Sequence, residues 1–108
     1  MPEVPIHPGE ILKEELEALH MNAAELARAI NVPANRISQI VAGKRNISAD
    51  TALRLGKIFS TGPQFWLNLQ TAYELDLVES NGGPDLAAIV PFAKVSETEE
   101  PAKDEAIA

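Results

Sequence analysis

The chain has 108 residues, 45% of them hydrophobic and 23% charged, which suits one domain around one core and is too little for two. It has no cysteine, so disulfide frameworks, thiolate zinc sites, iron–sulfur clusters and cysteine nucleophiles are excluded together. The formal charge of −7 speaks at first sight against a nucleic-acid partner, and its distribution therefore has to be followed along the chain.

Pro8 suits the first position of helix 1, where its missing N–H costs nothing, and Ile11, Leu12, Leu16 and Leu19 then form one apolar stripe with Glu10, Glu14 and Glu17 facing water. Asn22 followed three residues later by Glu25 is a capping-box start for helix 2, about 23–30, whose Ala23, Leu26, Ala27 and Ile30 recur at helical spacing. Asn31 tolerates the left-handed conformation that a sharp turn requires, and Pro33 is expected to open helix 3, about 33–43. Helix 3 buries Ile37, Ile40 and Val41, ends at Gly43, and leaves Asn35, Arg36, Ser38 and Gln39 off the apolar stripe. Ser48 caps helix 4, with Asp50 in its first turn and Leu55, Ile58 and Phe59 inward. After Thr61-Gly62-Pro63, helix 5 runs to about Val78. Its Phe65, Trp66, Leu69, Tyr73 and Leu77 exceed what one core can cover and are assigned to a dimer interface. These elements predict an all-α domain of five helices over 1–79. An acidic extension follows over 80–108, mobile from 96 onward.

Residues 1–19 carry −4 and residues 58–108 carry −7, whereas residues 20–57, with six bases against Glu25 and Asp50, carry +4. Screening limits the reach of a surface charge to about 8–10 Å at ordinary salt, so the basic middle can attract an anion despite the total. In that stretch two short helices join across Asn31 to Pro33, with small Ala27 at their approach. These are the requirements of a helix-turn-helix, whose second helix enters a major groove. Asn35, Arg36, Ser38 and Gln39 are the candidate base contacts, Arg being able to pair with guanine and Asn or Gln with adenine. Asn22, Lys44 and Arg45 are the candidate phosphate contacts. Arg54 and Lys57 are left out, because Asp50 four residues before Arg54 makes an ordinary ion pair there.

His7, His20 and Glu10 do not make a metal site, since His7 and His20 are about a helix length apart and no further donors join them. No glycine-rich phosphate loop or nucleophile elbow is present, so neither catalysis nor a cofactor is expected. The N-terminus has an acid where a secretory signal carries bases. The longest apolar stretch, Leu86 to Ala93, is broken by Pro91, well short of the roughly 18 residues that cross a bilayer; the chain is expected to be cytoplasmic, with no membrane association.

The segments HPGEILKEELEAL, AELARAINVPANRISQIVAGKRNISADTALRLGKIF and QFWLNLQTAYEL, spanning roughly residues 6–77, resemble the HigA-type antitoxins of the XRE helix-turn-helix family. The resemblance implies a five-helix, lambda-repressor-like DNA-binding domain, dimerisation through C-terminal helices and autorepression of a toxin–antitoxin operon through operator DNA. It also implies a HigB-like, mRNA-cleaving toxin as protein partner, and base reading from helix 3, including Asn35, Arg36 and Gln39. Two features depart from the family pattern. Asn31 stands where glycine is common, and the extension after about Glu79 is longer than the family suggests. Pro84 to Val95, with DLAAIVPF at its centre, either folds onto the partner or the toxin or is an inert solubilising tail. A free-standing regulator without a toxin and an adaptor that has lost DNA binding remain as alternatives.

Overall fold

The computed structural model describes residues 4–81 and 84–92. Among them all regular structure is helical: α1 (Pro8–Ala18), α2 (Ala23–Ile30), α3 (Ala34–Val41), α4 (Ala49–Ile58), α5 (Pro63–Ser80) and a short α6 (Pro84–Ala87) in the extension. The five-helix domain with a C-terminal extension is the architecture expected. The stretch assigned to a mobile tail, 96–108, lies outside the described residues.

Local chemistry accounts for the helix boundaries. Asn22 and Glu25 close a reciprocal capping box, each backbone N–H donating to the other residue's side-chain oxygen at 2.8 Å. The Ser48 hydroxyl accepts the Thr51 N–H at the start of α4. The ends of α1 to α4 share one device: a bond from the N–H five residues on to a last-turn carbonyl, from Met21 to Leu16, Val32 to Ala27, Lys44 to Gln39 and Thr61 to Gly56, at 2.8–3.0 Å. The residue before each donor is left-handed: His20 at φ 55°, Asn31 at 63°, Gly43 at 78° and Ser60 at 60°. Only one of the four is glycine, so α1, α2 and α4 tolerate a strain of about 1–2 kcal/mol each in return for satisfied terminal carbonyls.

The core gathers Leu12 and Leu16 of α1, Leu26, Ala27 and Ile30 of α2, Ile37 and Ile40 of α3, Ala52 and Leu55 of α4, Ile47 of the α3–α4 loop and Trp66 of α5. α2 packs chiefly on α3 and α4 chiefly on α5, while α1 bridges α3 and α5. Several expectations need adjustment. Pro33 is the extended N-cap of α3, not its first helical residue, and α3 ends at Val41, two residues before Gly43. Val41 is half-buried. Leu19 is exposed because it caps α1 where the chain turns off the core. Ile58 is exposed because α2 ends opposite it, leaving a cleft of about 350 Å³ over Ile30, Arg54 and Ile58. Thr51, Ala52 and Gly56 share α4's inward face with Leu55, and Phe59 is half-buried. α5 continues two residues past Val78. Trp66, assigned to a dimer interface, is fully buried in the chain's own core against Phe59 and Phe65 and offers nothing to a second copy. Phe65 is exposed, and Leu69, Tyr73 and Leu77 are half-buried.

Candidate nucleic-acid interface

α3 is held from beneath by Ile37 and Ile40, both fully buried, so its opposite face is the one presented to solvent. Asn35 is exposed in the first turn with no side-chain bond among the described residues, whereas the Ser38 hydroxyl donates to the Asn35 carbonyl at 3.3 Å and is partly satisfied within its own helix. Gln39 is half-buried, and its Oε1 accepts from Arg45 Nε at 2.8 Å. A candidate base contact and a candidate phosphate contact are thus joined directly, and the Gln39 Nε2 donors have no partner among the described residues. The Lys44 N–H donates to the Gln39 carbonyl at 2.8 Å, which sets where the basic loop leaves α3, and Lys44 and Arg45 are both exposed.

Arg36 is tethered. One guanidinium nitrogen lies 3.6 Å from the Asp50 carboxylate, which also binds Arg54 Nε at 3.0 Å. Arg54 in turn donates to the Ile30 carbonyl at 2.9 Å, closing the C-terminus of α2. Asp50 therefore ties the first turn of α4 to α3 and, through Arg54, to α2. Exposed pairs of this kind are worth about 0–1 kcal/mol, so Arg36 can leave Asp50 for a guanine edge at small cost. Asn22 is more committed than its assignment as a phosphate contact supposes. Its Oδ1 and backbone N–H are both engaged by Glu25, whose carboxylate faces the same surface, and only the Nδ2 donors are left for an anion.

Two positioning residues escaped sequence reasoning. Gln70 of α5 is buried, its Oε1 accepting the Ile47 N–H at 2.8 Å while Nε2 donates to Glu74 at 2.9 Å, so α5 fixes the backbone just after the basic loop. No local signal marks it, because its partner is 23 residues away in the chain. His7 is the other. Its Nδ1 accepts the Gly9 N–H at 2.9 Å as the N-cap of α1, its ring stands edge-on to Tyr73 at 4.8 Å, and Gly43 packs over it. This role removes His7 from any site with His20. Among the described residues, no three of His, Asp and Glu converge as metal ligands.

Burial pushes the His7 imidazole below its ordinary pKa, with the Glu10 carboxylate and the Arg45 backbone opposing the shift. Nδ1 must be unprotonated to accept from Gly9. A folded-state pKa below the ordinary value of about 6.5 means that the stability from this cap is complete above that value and is lost as pH falls through the folded one. The melting temperature is therefore expected to drop as pH is lowered below about 6.5. The drop should shrink in His7→Asn, which caps without titrating. An unaltered pH profile in the variant would place the sensitivity elsewhere.

A family model described as helix-turn-helix matches residues 12–66, from the middle of α1 to Trp66, and so takes in α2, the Asn31–Pro33 turn and α3. In the solved structure of an addiction module antidote protein of a HigA family from Coxiella burnetii, 99% of that chain superposes on 82% of this one, with 48% identity and a TM-score of 0.79. The chain belongs to the HigA-type helix-turn-helix family. Pseudomonas aeruginosa antitoxin HigA, solved with the higBA promoter, is 44% identical over 81% of this chain and 96% of its own, with a TM-score of 0.75. Virulence-associated protein I of Dichelobacter nodosus is 51% identical over 77 residues, 70% of this chain and 71% of that protein. Nearly all of the Coxiella chain is accounted for in this HigA-type match, while about a fifth of this one has no counterpart in it.

Proposed function

We propose that the chain is an antitoxin that, as a two-fold dimer, binds operator DNA through α3 to repress its own operon and neutralises a HigB-like, mRNA-cleaving toxin. The observation that carries the DNA reading is the solvent-facing polar face of α3, bonded to the Lys44–Arg45 loop through Gln39, in a chain whose two flanks are acidic. Asn35, Arg36 and Gln39 read base edges, with Ser38 in support. Lys44 and Arg45, joined by the Asn22 Nδ2 donors, hold phosphates. Phe65, Leu69, Tyr73 and Leu77 of α5 form the mating surface, which sets the two recognition helices one duplex turn apart, roughly 34 Å. The Pseudomonas relative solved with a promoter supports the DNA reading. The toxin reading follows from the HigA-type kinship, and acidic flanks suit a basic, RNA-cleaving partner.

Binding to the duplex upstream of the chain's own reading frame tests the repressor. Arg36→Ala is expected to cost about 1–3 kcal/mol and to relax preference at one base pair per half-site, whereas Lys44→Ala should weaken all sequences alike and lower the salt slope by about 1 per subunit. Uniform loss across sequences in Arg36→Ala would remove it from the base-reading set. For the antitoxin half, co-expression with the neighbouring reading frame should yield a stable complex with a small basic protein. Failure to co-purify leaves a free-standing regulator.

A further inference from the structure

The chain carries two apolar surfaces that do not meet each other. One is the arm that follows α5: Leu86 is 52% exposed, Ile89 65%, Val90 80% and Phe92 100%, and α6 has no substantial packing against α1 to α5. From Leu86 to Phe92 the sequence LAAIVPF holds no charged side chain. The other is a groove of about 240 Å³ between the extended N-terminal segment and α5, walled by Val4, Ile6, Ile11, Leu69, Ala72 and Tyr73. Asp76 is the only charged residue lining it among the described residues. An acidic chain would lose nothing in solubility by filling either surface with polar residues, yet both are apolar, and exposed apolar surfaces of this kind mark contact sites.

We infer that the arm of one copy lies in the groove of a second, so that the dimer is closed by two exchanged arms. The inference rests on the two-fold pairing of the proposed function and names its contact. Three observations select a second copy as the occupant. The groove shares Leu69 and Tyr73 with the α5 face already assigned to pairing, so arm and helix contacts are continuous. α5 carries the chain past Asp76 to Ser80 before the arm begins, so the arm departs from beyond the end of its own groove, and a chain of the opposite direction brings its arm back across it. Size agrees as well: four large side chains on each of two arms, with the walls they cover, remove on the order of 1,000–2,000 Å² from water, the class of a specific interface.

The absence of native cysteine makes cross-linking a clean test on the full chain. Ile6→Cys combined in one chain with Leu86→Cys, Ile89→Cys or Val90→Cys is expected to give, in at least one pairing, a covalent dimer on oxidation. The single variants should give little. A covalently closed monomer puts the arm in its own groove and overturns the inference, as does no cross-link in any pairing. In parallel, Ile89→Ser/Phe92→Ser, which alters only exposed positions, should keep the helical circular dichroism of the parent and weaken dimerisation by about tenfold or more in sedimentation. Equal dimerisation of parent and variant removes the arm contact while leaving the two-fold reading intact. A parent chain that sediments as a monomer removes both.

Discussion

Gly9→Ala is expected to destabilise the domain by about 3 kcal/mol or more, although helix propensity alone would favour the change. Gly9 is the second residue of α1, a position where alanine ordinarily gains up to about 1 kcal/mol over glycine. Here an added methyl group would fall on the Ile40 carbonyl oxygen and within 2.8 Å of its carbon. The obstacle is backbone in the last turn of α3, held by the fully buried Ile40 side chain and by the Gly43 N–H that donates to the same carbonyl. Neither can yield without moving α3, so the substitution couples stability to the aim of the recognition helix. Urea unfolding gives the first effect, and operator affinity of the remaining folded fraction gives the second. A variant as stable as the parent would mean that α1 and α3 approach less closely than described. Against a total of about 5–15 kcal/mol for a domain of this size, a loss of 3 leaves a measurable unfolded population.

Trp66→Ala should be larger still, about 3–5 kcal/mol, because the side chain has no exposed surface and joins α5 to the rest of the core. Phe59 lies against it at 5.7 Å between ring centroids and Phe65 meets it edge-on at 5.0 Å, so truncation removes two aromatic contacts and opens a cavity. Trp66→Phe should cost much less. It keeps most of the volume and deletes an indole N–H that finds no acceptor among the described residues. The loss in Trp66→Ala is one of folding, so a denaturant midpoint lowered at every protein concentration is the expected reading. A midpoint that recovers as the protein is concentrated would return Trp66 to an interface between copies.

The elements most legible in the sequence are those whose cause lies within a few residues. Asn22 and Glu25 close their capping box at a spacing of three, Asn31 adopts the left-handed turn, Ser48 caps α4, and Pro8 begins α1. The apolar spacing of Leu26, Ala27, Ile30, Ile37 and Ile40 likewise located the faces on which α2 and α3 meet. Errors arose where an outcome depended on what stands opposite. The apolar side chains of α5 are spread around the helix, so periodicity could not separate Trp66, taken into the core, from Phe65 one residue earlier, which remains outside. Ile58 and Leu19 carry the apolar signal but sit where a neighbouring helix has ended or their own chain turns away.

The candidate site divides in the same way. That α3 displays Asn35, Arg36, Ser38 and Gln39 beside a basic loop follows from helical spacing and local charge, and both can be read without coordinates. The tether of Arg36 to Asp50, the bond from Arg45 to Gln39 and the hold of Gln70 on Ile47 cannot. Amino-acid order alone settled five helices, the caps of α2 and α4 and the polar face of α3, because capping and amphipathicity act over three to five residues. Packing alone decided which apolar residues are buried, which cations are restrained and how the basic loop is anchored. Those partners are six to 23 residues apart in Arg45–Gln39 and Ile47–Gln70, and only the closed chain brings them within reach.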